Sequence, residues 1–521
     1  MGDLKQVYNP YLPLGEYVPD GEPHVFGDRV YIFGSHDKEA GETFCMLDYV
    51  TYSTPVDDLK NWRFEGVIYR AEQDPAYAKF PDMYAPDVVQ GNDGRFYLYY
   101  CMSGKYGVGG YTNPISVAVA DSPAGPYEFL GHVKNADGSL MLKYVCFDPA
   151  VMNDEGTIRL YYGTRYQMEH LGKTTEESVK TQTDMFGRTA EDIISYLEKG
   201  DNIMGPAMLT LCDDMLTVKE EPKLIIPYEV SGSSFEGHAF FEGSSIRKVN
   251  GRYYFVYSSE LNHELCYATS DYPDRDFVFG GTIVSNGDVG FNDREGKDRL
   301  NMTGTTHGGI ECINGEWYVF YHRLTHKTDY SRQACAEKIK IEEDGSIRQV
   351  EITSCGLNGG PLKAYGTYPA VIACNITNGE MPHGSNSSFE VTFPNVNNEG
   401  EERFVSEITD GSLLGFKYFE FEDVKSVGIT VKCESEPAEA QFDVYIAPKA
   451  EEETFEMLAD RITANIKGLK FGEIRLNRCA LSDCSEWQAF EAEVDLPVGA
   501  YALYFVYRGE GSVRVKDIYF K

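Results

Sequence analysis

The sequence predicts an all-β protein in which a five-bladed β-propeller is followed by a β-sandwich of the jelly-roll type. One pattern occurs five times before residue 355: an acidic or histidine residue, a short apolar strand, a glycine-containing turn and an aromatic strand. Most of its units recur at 61–67 residues, which suits a four-stranded propeller blade. Alternating apolar and polar residues over 401–521 predict the sandwich.

Each blade begins at one head residue of the repeated pattern. The heads are separated by 67, 61, 94 and 65 residues and are Asp20, Asp87, Asp148, Glu242 and His307. Turns rich in Asn, Asp and Gly follow four of the first strands, at 92–94, 154–156, 250–251 and 314–315, and predict hairpins. The one long interval contains a charged segment, 168–200, in which Ile193, Ile194 and Leu197 have helical spacing. We expect a helical insertion there.

The composition divides the chain into three segments. Residues 1–355 carry the repeats and are expected to form a catalytic propeller. Residues 356–400 are rich in Gly, Asn, Ser and Pro, which predicts a linker or a loop-rich stretch. Residues 401–521 return to alternating strands and are expected to form the sandwich.

The charge balance narrows the choice of partner. The 521 residues include 82 acidic and 47 basic side chains, giving a net charge of −35. Such a chain repels nucleic acid and anionic membranes. A neutral partner such as a small oligosaccharide fits better, and the aromatic content of 13% offers rings for stacking on sugar faces.

Segments that direct a chain to membranes or to secretion are not found in the sequence. No apolar run reaches the ~18 residues of a membrane span, and the first residues lack the apolar core of a signal peptide. The 12 cysteines include no CxxC pair, which favours buried, reduced thiols. We therefore expect a cytoplasmic protein, and nothing in the sequence predicts its oligomeric state.

The head residues predict the chemistry of the propeller. The innermost strand of each blade lines the central channel, so equivalent heads would bring four carboxyl groups and one histidine together. Crowding raises the pKa of at least one carboxyl group. Paired carboxyl groups of different pKa around a neutral substrate are typical of glycoside hydrolysis. The alternative is that Asp87 and Asp148, each beside a proline, only cap turns.

Several segments resemble glycoside hydrolase family 43. They are VPDGEPHVFGDRVYIFGSHD (18–37), MYAPDVV (83–89), CFDPAVMNDEG (146–156), FFEGSSIRKVNGRYYFVYSS (240–259), THGGIECINGEWYVFYHR (306–323) and YSRQACAEKI (330–339). The second is similar to a family motif in which Trp stands where this chain has Tyr84. The resemblance covers about two thirds of the chain.

The resemblance implies an inverting, exo-acting hydrolase of terminal α-L-arabinofuranosyl or β-D-xylosyl residues of plant-derived oligosaccharides. It assigns Asp20 as general base, Glu242 as general acid and Asp148 as the group that modulates the acid's pKa. It also implies sugar contacts from Arg332 and His307, and a cation that sometimes lies beside the histidine. No cofactor is required, although a structural Ca²⁺ in the channel is one expectation, with His307 as its ligand.

Further contacts and several alternatives follow from the residues themselves. Tyr84 and Asp87 are expected to contact the sugar, and His238 either contacts it or belongs only to a loop. Glu22 competes with Asp20 for the base, because Gly21 stands where the family has proline. Glu236 competes with Glu242 for the acid. Two other functions remain, a non-catalytic carbohydrate-binding propeller and a hydrolase acting on another sugar such as galactose.

The C-terminal segment resembles a family 6 carbohydrate-binding module. The resemblance rests on GEIRLNR (472–478), CSEWQAFEAEVDLPVGAYALYFVY (484–507) and the closing IYF (518–520). Trp487 falls near the position of a binding-site aromatic residue in such modules. The alternative, which we favour, is that the tryptophan packs within a sandwich that braces the propeller.

Overall fold

The computed structural model describes residues 5–165, 180, 183–199, 203–384, 388–434, 440–449, 469–476, 486–495 and 497–521. Within these residues strands dominate, and the predicted all-β architecture of propeller and sandwich is confirmed. No helix in the described part of the chain is long and apolar enough to cross a membrane.

Five antiparallel sheets form the blades, each built from consecutive strands. Blade one is β1 (Glu22–Phe26), β2 (Arg29–Phe33), β3 (Tyr49–Pro55) and β4 (Arg63–Tyr69). Blade two is β5 (Asp82–Gln90), β6 (Phe96–Ser103), β7 (Ser116–Ala120) and β8 (Glu128–His132). Blade three is β9 (Ala150–Asp154), β10 (Thr157–Tyr162), β11 (Ala207–Leu211) and β12 (Val218–Leu224).

Blade four is β13 (Phe240–Val249), β14 (Arg252–Ser259), β15 (Glu264–Ser270) and β16 (Val278–Ser285). Blade five has three described strands, β17 (Ile310–Ile313), β18 (Glu316–Thr325) and β19 (Thr328–Ile339). The hairpin turns form as predicted: Asn250-Gly251 and Asn314-Gly315 have positive φ at both residues, as a type I′ turn requires. Aromatic and β-branched residues of neighbouring blades pack together and form the propeller core.

The N-terminal segment helps to close the ring of blades. The Asn9 side chain donates to Ala336 O and accepts from Ala336 N, each at 3.0 Å, so it is fixed to the edge strand β19. Val7, Tyr11 and Leu12 are buried in the apolar cluster shared by blades one and five. A bridge between Gly21 and Gly308 links the two blades at their inner ends.

The predicted insertion contains one described helix, α1 (Ala190–Glu198). Ile193 is fully buried and Ile194 packs beside it, as their spacing predicts. Their neighbours in this apolar cluster include Met185 and Phe186, from a helical turn at 183–186, and Tyr84 of blade two. Residues 168–179, 181–182 and 200 of the predicted insertion lie outside the described residues.

Two sheets form the C-terminal sandwich. One has the order β20 (Leu362–Lys363), β25 (Leu413–Phe421), β30 (Gly499–Gly509), β27 (Ala440–Pro448) and β28 (Leu469–Leu476), with β22 (Asn375–Thr377) also on β25. The other has the order β23 (Asn395–Glu399), β24 (Glu402–Ile408), β31 (Val513–Phe520), β26 (Ser426–Cys433) and β29 (Gln488–Glu493), with β21 (Gly366–Pro369) also on β31.

Residues 356–400 differ from the expected linker. This segment supplies four short strands, β20 to β23, to the two sheets. Leu362, Val371 and Ile372 are fully buried in the sandwich core. The strands are two to five residues long, too short for a period-two pattern to stand out among Gly, Asn and Pro.

The cysteines depart from the expected reduced state at one position. Nine of the described cysteines are free and most of them are buried, which suits their apolar surroundings. Cys433, at the end of β26, is disulfide-bonded. A disulfide in this domain is a feature that the scattered cysteine spacing did not predict.

A buried ion pair joins the two domains. Lys417, on β25 of the sandwich, donates to Glu351 Oε1 at 2.8 Å, and its Nζ lies 3.6 Å from Asp288 Oδ2 of the propeller. Nearby, the Arg323 guanidinium of β18 donates to the carbonyl oxygens of Val371 and Ala373. Charged groups are rarely buried unless paired, so these contacts fix one relative placement of the domains.

We predict that Lys417→Met destabilises the protein by about 3–5 kcal/mol, because two carboxyl groups are left buried without their cation. Thermal and denaturant unfolding measure the change. Lys338→Met is the matched control, since Lys338 pairs with Glu316 on the surface at 2.8 Å and such pairs contribute about 0–1 kcal/mol. Equal losses of unfolding free energy in the two variants would contradict the proposed contribution of the interdomain ion pair to stability.

Candidate active site

A cavity opens at the inner ends of the blades. The empty space within it, counting its open mouth, is about 740 Å³. Six of the residues expected from the sequence line it: Asp20, Tyr84, Asp148, Glu242, His307 and Arg332. The other lining residues are mainly aromatic or small, and they include Phe44, Tyr106, Tyr111, Phe147, Met185 and Tyr330.

Two aspartates of the cavity adopt the left-handed backbone conformation, with positive φ. Asp20 has φ of 57° and Asp148 has φ of 43°, and each directly precedes the inner strand of its blade. Residues other than glycine adopt this left-handed region at an energetic cost, and such positions concentrate at functional sites. Gly243 follows Glu242 with φ of 75°, and a β-carbon there would lie 3.0 Å from the His307 ring.

Asp20 is held as a carboxylate. Arg332 Nη1 donates to both oxygens of Asp20, at 2.9 and 3.0 Å, and both side chains are buried. His322 Nδ1 lies 3.4 Å from Asp20 Oδ1. Burial opposes ionisation of Asp20, but the charge of Arg332, together with the neighbouring imidazoles, holds its pKa below the usual value.

Arg332 is itself fixed by Asp37. Its Nε and Nη2 donate to the two oxygens of Asp37, at 2.8 and 3.0 Å, in a bidentate pair. Its guanidinium also lies over the Phe44 ring at 4.7 Å. A planar cation held on these sides keeps its remaining nitrogen directed at Asp20, so Asp37 and Phe44 set the geometry of the pair.

Glu242 and Asp148 differ from Asp20, because the pKa values of both are raised. Burial and the charge of Asp20 raise the pKa of Glu242 to about 8. Burial and the charge of Glu242 raise the pKa of Asp148 well above its usual value. Asp148 Oδ2 accepts from Gly243 N at 3.1 Å and lies 3.7 Å from His307 Nδ1. The Gly243 amide favours the ionised form of Asp148 against the larger effects of burial and of Glu242, and a pKa of about 8 leaves Glu242 protonated near neutral pH.

Aromatic rings form one wall of the cavity. Tyr84 packs on Phe147 at 5.7 Å and on Phe44 at 6.4 Å between centroids. Its hydroxyl has no hydrogen-bond partner among the described residues. Ring faces beside buried carboxyl groups suit a ligand that is apolar on one face and polar at its edges, as a sugar ring is.

Comparison with known proteins agrees with this geometry. The model of the glycosyl hydrolases family 43 matches residues 19–347. A xylosidase/arabinosidase of Thermoclostridium stercorarium is 42% identical over 535 residues, covering 98% of both chains. The chain belongs to glycoside hydrolase family 43. The propeller and the paired carboxyl groups are therefore those of a glycoside hydrolase.

Other relatives match the propeller of this hydrolase. A xylosidase/arabinosidase of Bacteroides ovatus is 29% identical over 66% of this chain and 97% of its own length. A solved β-xylosidase/α-arabinofuranosidase from a compost microbial metagenome, in complex with xylotriose and in a calcium-free form, is 28% identical. That structure covers 64% of this chain and 94% of its own, with a TM-score of 0.48.

Asp87 of the hydrolase does not line the cavity. It is fully buried and accepts from His24 Nε2 at 2.6 Å and from two backbone amides, those of Val88 and Val151, at 2.7 Å. These contacts tie the inner strands of blades one, two and three together. Asp87 thus packs the inner strands of the channel, away from the cavity in which its sugar contact was expected.

The two alternative carboxyl groups also lie away from the cavity. Glu22 is buried beside Arg247, whose Nη2 donates to it at 3.2 Å, and it belongs to the group formed with His24 and Asp87. Glu236 is exposed and accepts from Gly232 N at 3.1 Å within its own loop. Among these pairs of competitors, the geometry favours Asp20 and Glu242.

A cation beside His307 is compatible with its chemistry. Burial lowers the pKa of His307, so the imidazole is neutral. Its Nδ1 faces Asp20 at 3.9 Å and Asp148 at 3.7 Å, which favours a proton on that nitrogen. Nε2 is buried without a partner in the described structure and keeps a free lone pair. His307 thus fits as one nitrogen ligand, and Ca²⁺ would need water oxygens for the remainder.

His238 lies outside the cavity lining. Its Nδ1 contacts Glu264 Oε1 at 2.6 Å and its ring stacks on Phe279 at 4.7 Å. Glu264 also accepts from Ser259 and Thr282. His238 therefore belongs to a polar cluster of blade four, and its expected contact with the sugar stays a prediction.

Several residues of the site were missed by sequence reasoning. Asp37 and His322 fix Arg332 and Asp20, and both stand within the segments that resemble the family, where their roles could have been sought. Phe147 directly precedes Asp148 and could have been sought in the same way, whereas Tyr111 and Met185 line the cavity from two separate segments. No spacing links those segments, so only the assembled propeller brings them together.

Trp487 packs within the sandwich. Its Nε1 donates to Glu402 Oε2 at 2.8 Å, and its ring lies 5.9 Å from that of Phe404. Lys432 and Lys516 lie over the indole, at 5.8 and 5.7 Å. The indole thus contacts aromatic, acidic and basic side chains of its own domain, and the role of that domain stays a prediction.

We predict that His238→Asn destabilises the hydrolase at pH 5.5 by about 1 kcal/mol, a value discounted for solvent screening of a half-exposed pair. The contact with Glu264 raises the pKa of His238, so its stabilisation is complete below the unfolded pKa of 6.5. It is lost as the pH rises through the folded value. The pH-dependent part of the stability difference between variant and wild type should therefore vanish near pH 9, leaving only the lost packing on Phe279.

Thermal unfolding across pH measures this effect, with His132→Asn as the control because His132 bonds the Ser116 hydroxyl rather than a carboxylate. The KM of His238→Asn should equal that of the wild type. A raised KM with unchanged stability would restore the expected sugar contact.

Proposed function

We propose that this chain is an inverting, exo-acting hydrolase that removes terminal β-D-xylosyl or α-L-arabinofuranosyl residues from small oligosaccharides. The observation that carries the proposal is the contrast between two carboxyl groups at one cavity. Arg332 keeps the pKa of Asp20 low, whereas burial and Asp20 raise that of Glu242 to about 8. The names of the xylosidase/arabinosidase relatives support the choice of sugar.

Asp20 acts as the general base in this proposal. Its carboxylate removes a proton from a water molecule, and that water's oxygen attacks the anomeric carbon. Arg332 maintains the negative charge of Asp20 before the reaction and stabilises its orientation through Asp37. A base of low pKa is weak but fully ionised over the working range, so activity is kept in mildly acidic solution.

Glu242 acts as the general acid. It transfers its proton to the glycosidic oxygen while the bond from that oxygen to the anomeric carbon breaks, so the leaving sugar departs as a neutral alcohol. Asp148 holds its charge near Glu242 through the Gly243 amide and so opposes early loss of the proton. His307 and Arg332 border the same space, and the lone pair on His307 Nε2 can accept a hydrogen bond from a sugar hydroxyl.

The size of the cavity supports short substrates. Buried aromatic and carboxyl groups enclose its inner end, which suits one terminal sugar unit better than a continuous polymer. The acidic surface also favours a neutral ligand. A Ca²⁺ ion bound at His307 and by water would lend positive charge to the carboxyl groups, and the residue steps above do not depend on it.

We predict that Glu242→Gln lowers kcat/KM on phenyl β-D-xylopyranoside and phenyl α-L-arabinofuranoside, whose leaving groups need protonation, by about 10²–10⁴-fold, because the proton donor is lost. Glu236→Gln, in the loop just before β13, is the matched control and should retain wild-type rates. The ratio of the wild-type rates on the two substrates identifies the preferred sugar.

Retention of most activity by Glu242→Gln would contradict the assignment of the acid. Turnover of neither substrate by the folded wild type would contradict the proposed sugars and would turn the search to other aryl glycosides, of galactose first.

We predict inversion at the anomeric carbon. An inverting pair is separated by about 6.5–9.5 Å to admit the attacking water, whereas a retaining pair lies about 5–5.5 Å apart. Proton NMR during hydrolysis of a β-D-xyloside should show α-D-xylose as the first product, before mutarotation. First appearance of the β-anomer would show retention and would exclude Asp20 as a water-activating base.

A further inference from the structure

Tyr111 approaches the proposed acid from the loop between β6 and β7. Its hydroxyl donates to Glu242 Oε2 at 3.4 Å, which is long for a hydrogen bond. The ring is nearly buried and lines the cavity. Neither the repeated pattern nor the family resemblance singled out this residue.

The insertion holds Tyr111 in place. Tyr111 N donates to Met185 O at 3.1 Å, and Gly109 N donates to Asp184 O at 2.6 Å, so the loop and the helical turn at 183–186 are joined through their backbones. The Tyr111 ring packs against Phe186 and Phe147, with 4.6 Å between centroids in each case. It is thus held between the insertion and the segment before β9.

The insertion is anchored by its own apolar core. Ile193 of α1 is fully buried and belongs to the cluster that contains Tyr111, Phe147, Met185 and Phe186. An aromatic ring fixed on both faces loses few alternative rotamers when it makes its hydroxyl contact. The insertion in blade three therefore forms part of the cavity lining beside Glu242 of blade four.

We propose that Tyr111 is a positioning residue for Glu242, and that the insertion serves catalysis by fixing Tyr111. The proposal rests on the proposed role of Glu242 as general acid. By donating to Oε2, the hydroxyl leaves Oε1 as the oxygen that carries the transferable proton. That proton passes to the glycosidic oxygen, and the electron pair of the breaking bond goes to the same oxygen.

The contact strengthens as the proton leaves. Glu242 then becomes a carboxylate, and a hydrogen bond to a carboxylate is stronger than one to a neutral acid. An interaction that is stronger in the transition state than in the ground state accelerates the chemical step. Tyr111 should therefore affect kcat most where protonation of the leaving group limits the rate.

The charges around Glu242 fix the direction of the pH effect. The hydroxyl of Tyr111 lowers the pKa of Glu242, against the larger effects of burial and of Asp20, which raise it. The other ionisable groups that border the same cavity come from the segments preceding β9 and β17 and from β19, and they are Asp148, His307 and Arg332. Removing the hydroxyl leaves all of these in place, so the basic limb of the activity profile should move to higher pH.

The test measures kcat for a series of aryl and alkyl glycosides whose leaving groups differ in pKa. Tyr111→Phe should lower kcat about 10-fold for alkyl glycosides, which need protonation, and less than about twofold for dinitrophenyl glycosides, which do not. The basic limb of the pH profile of Tyr111→Phe should also lie at higher pH than that of the wild type. Tyr97→Phe is the control, because the Tyr97 hydroxyl bonds a carboxylate, that of Asp93, at the far turn of the same blade.

Phe186→Leu tests the part played by the insertion without altering any polar group. It should reproduce the dependence on leaving group in weaker form. In the double variant with Tyr111→Phe, it should add nothing to that dependence, because both changes act through one contact. The two single variants are made and measured independently, so each tests its own part of the proposal.

An equal loss of kcat across all leaving groups in Tyr111→Phe would overturn the positioning role, since a general structural defect affects every substrate alike. An unchanged dependence in Phe186→Leu would overturn the role of the insertion. Glu242→Gln separates these failures from that of the proposed function: it must itself discriminate steeply against alkyl glycosides, and if it does not, Glu242 is not the acid.

Discussion

The structure of the site depends on one buried ion pair, that between Arg332 and Asp20. Arg332 stands on the last strand of the propeller and Asp20 stands just before the first, so the contact joins the two ends of the ring of blades. Asp37 holds the other edge of the guanidinium. A pair with these fixed partners is stable in a buried setting, because the hydrogen-bonding capacity of the cation is met. The same ion pair therefore closes the ring of blades and keeps Asp20 ionised.

The electrostatics of the cavity follow from that pair. With Asp20 fixed as an anion, ionisation of Glu242 would place a second negative charge in a buried space, so Glu242 keeps its proton. Neutral His307 does not offset this charge. One arginine therefore separates Asp20, which is ionised, from Glu242, which keeps its proton, and acid–base hydrolysis of a glycoside uses such a pair of carboxyl groups.

Much of this arrangement could be predicted from the sequence, because each blade repeats one local pattern and its first residue faces the channel. The pattern could not show where each side chain points. Asp20 and Asp148 have positive φ and line the cavity. Asp87, at the equivalent position of its blade, instead accepts hydrogen bonds from the inner strands. Tyr111 could not be predicted, since its role arises from a contact with an insertion more than 70 residues away. The strands of 356–400 were missed because they are too short to show a period.

The measurement that tests the division of roles most directly is the pH dependence of kcat/KM of the wild-type enzyme, which reports the ionisations of the free protein. The account predicts a broad bell, with its acid limb below 3.8, the ordinary pKa of an aspartate, and its basic limb near 8. The folded state is followed at each pH by circular dichroism. A narrow profile with both limbs between about 4 and 5, the ordinary range of carboxyl groups, would contradict it, because Arg332 would then not separate Asp20 from Glu242.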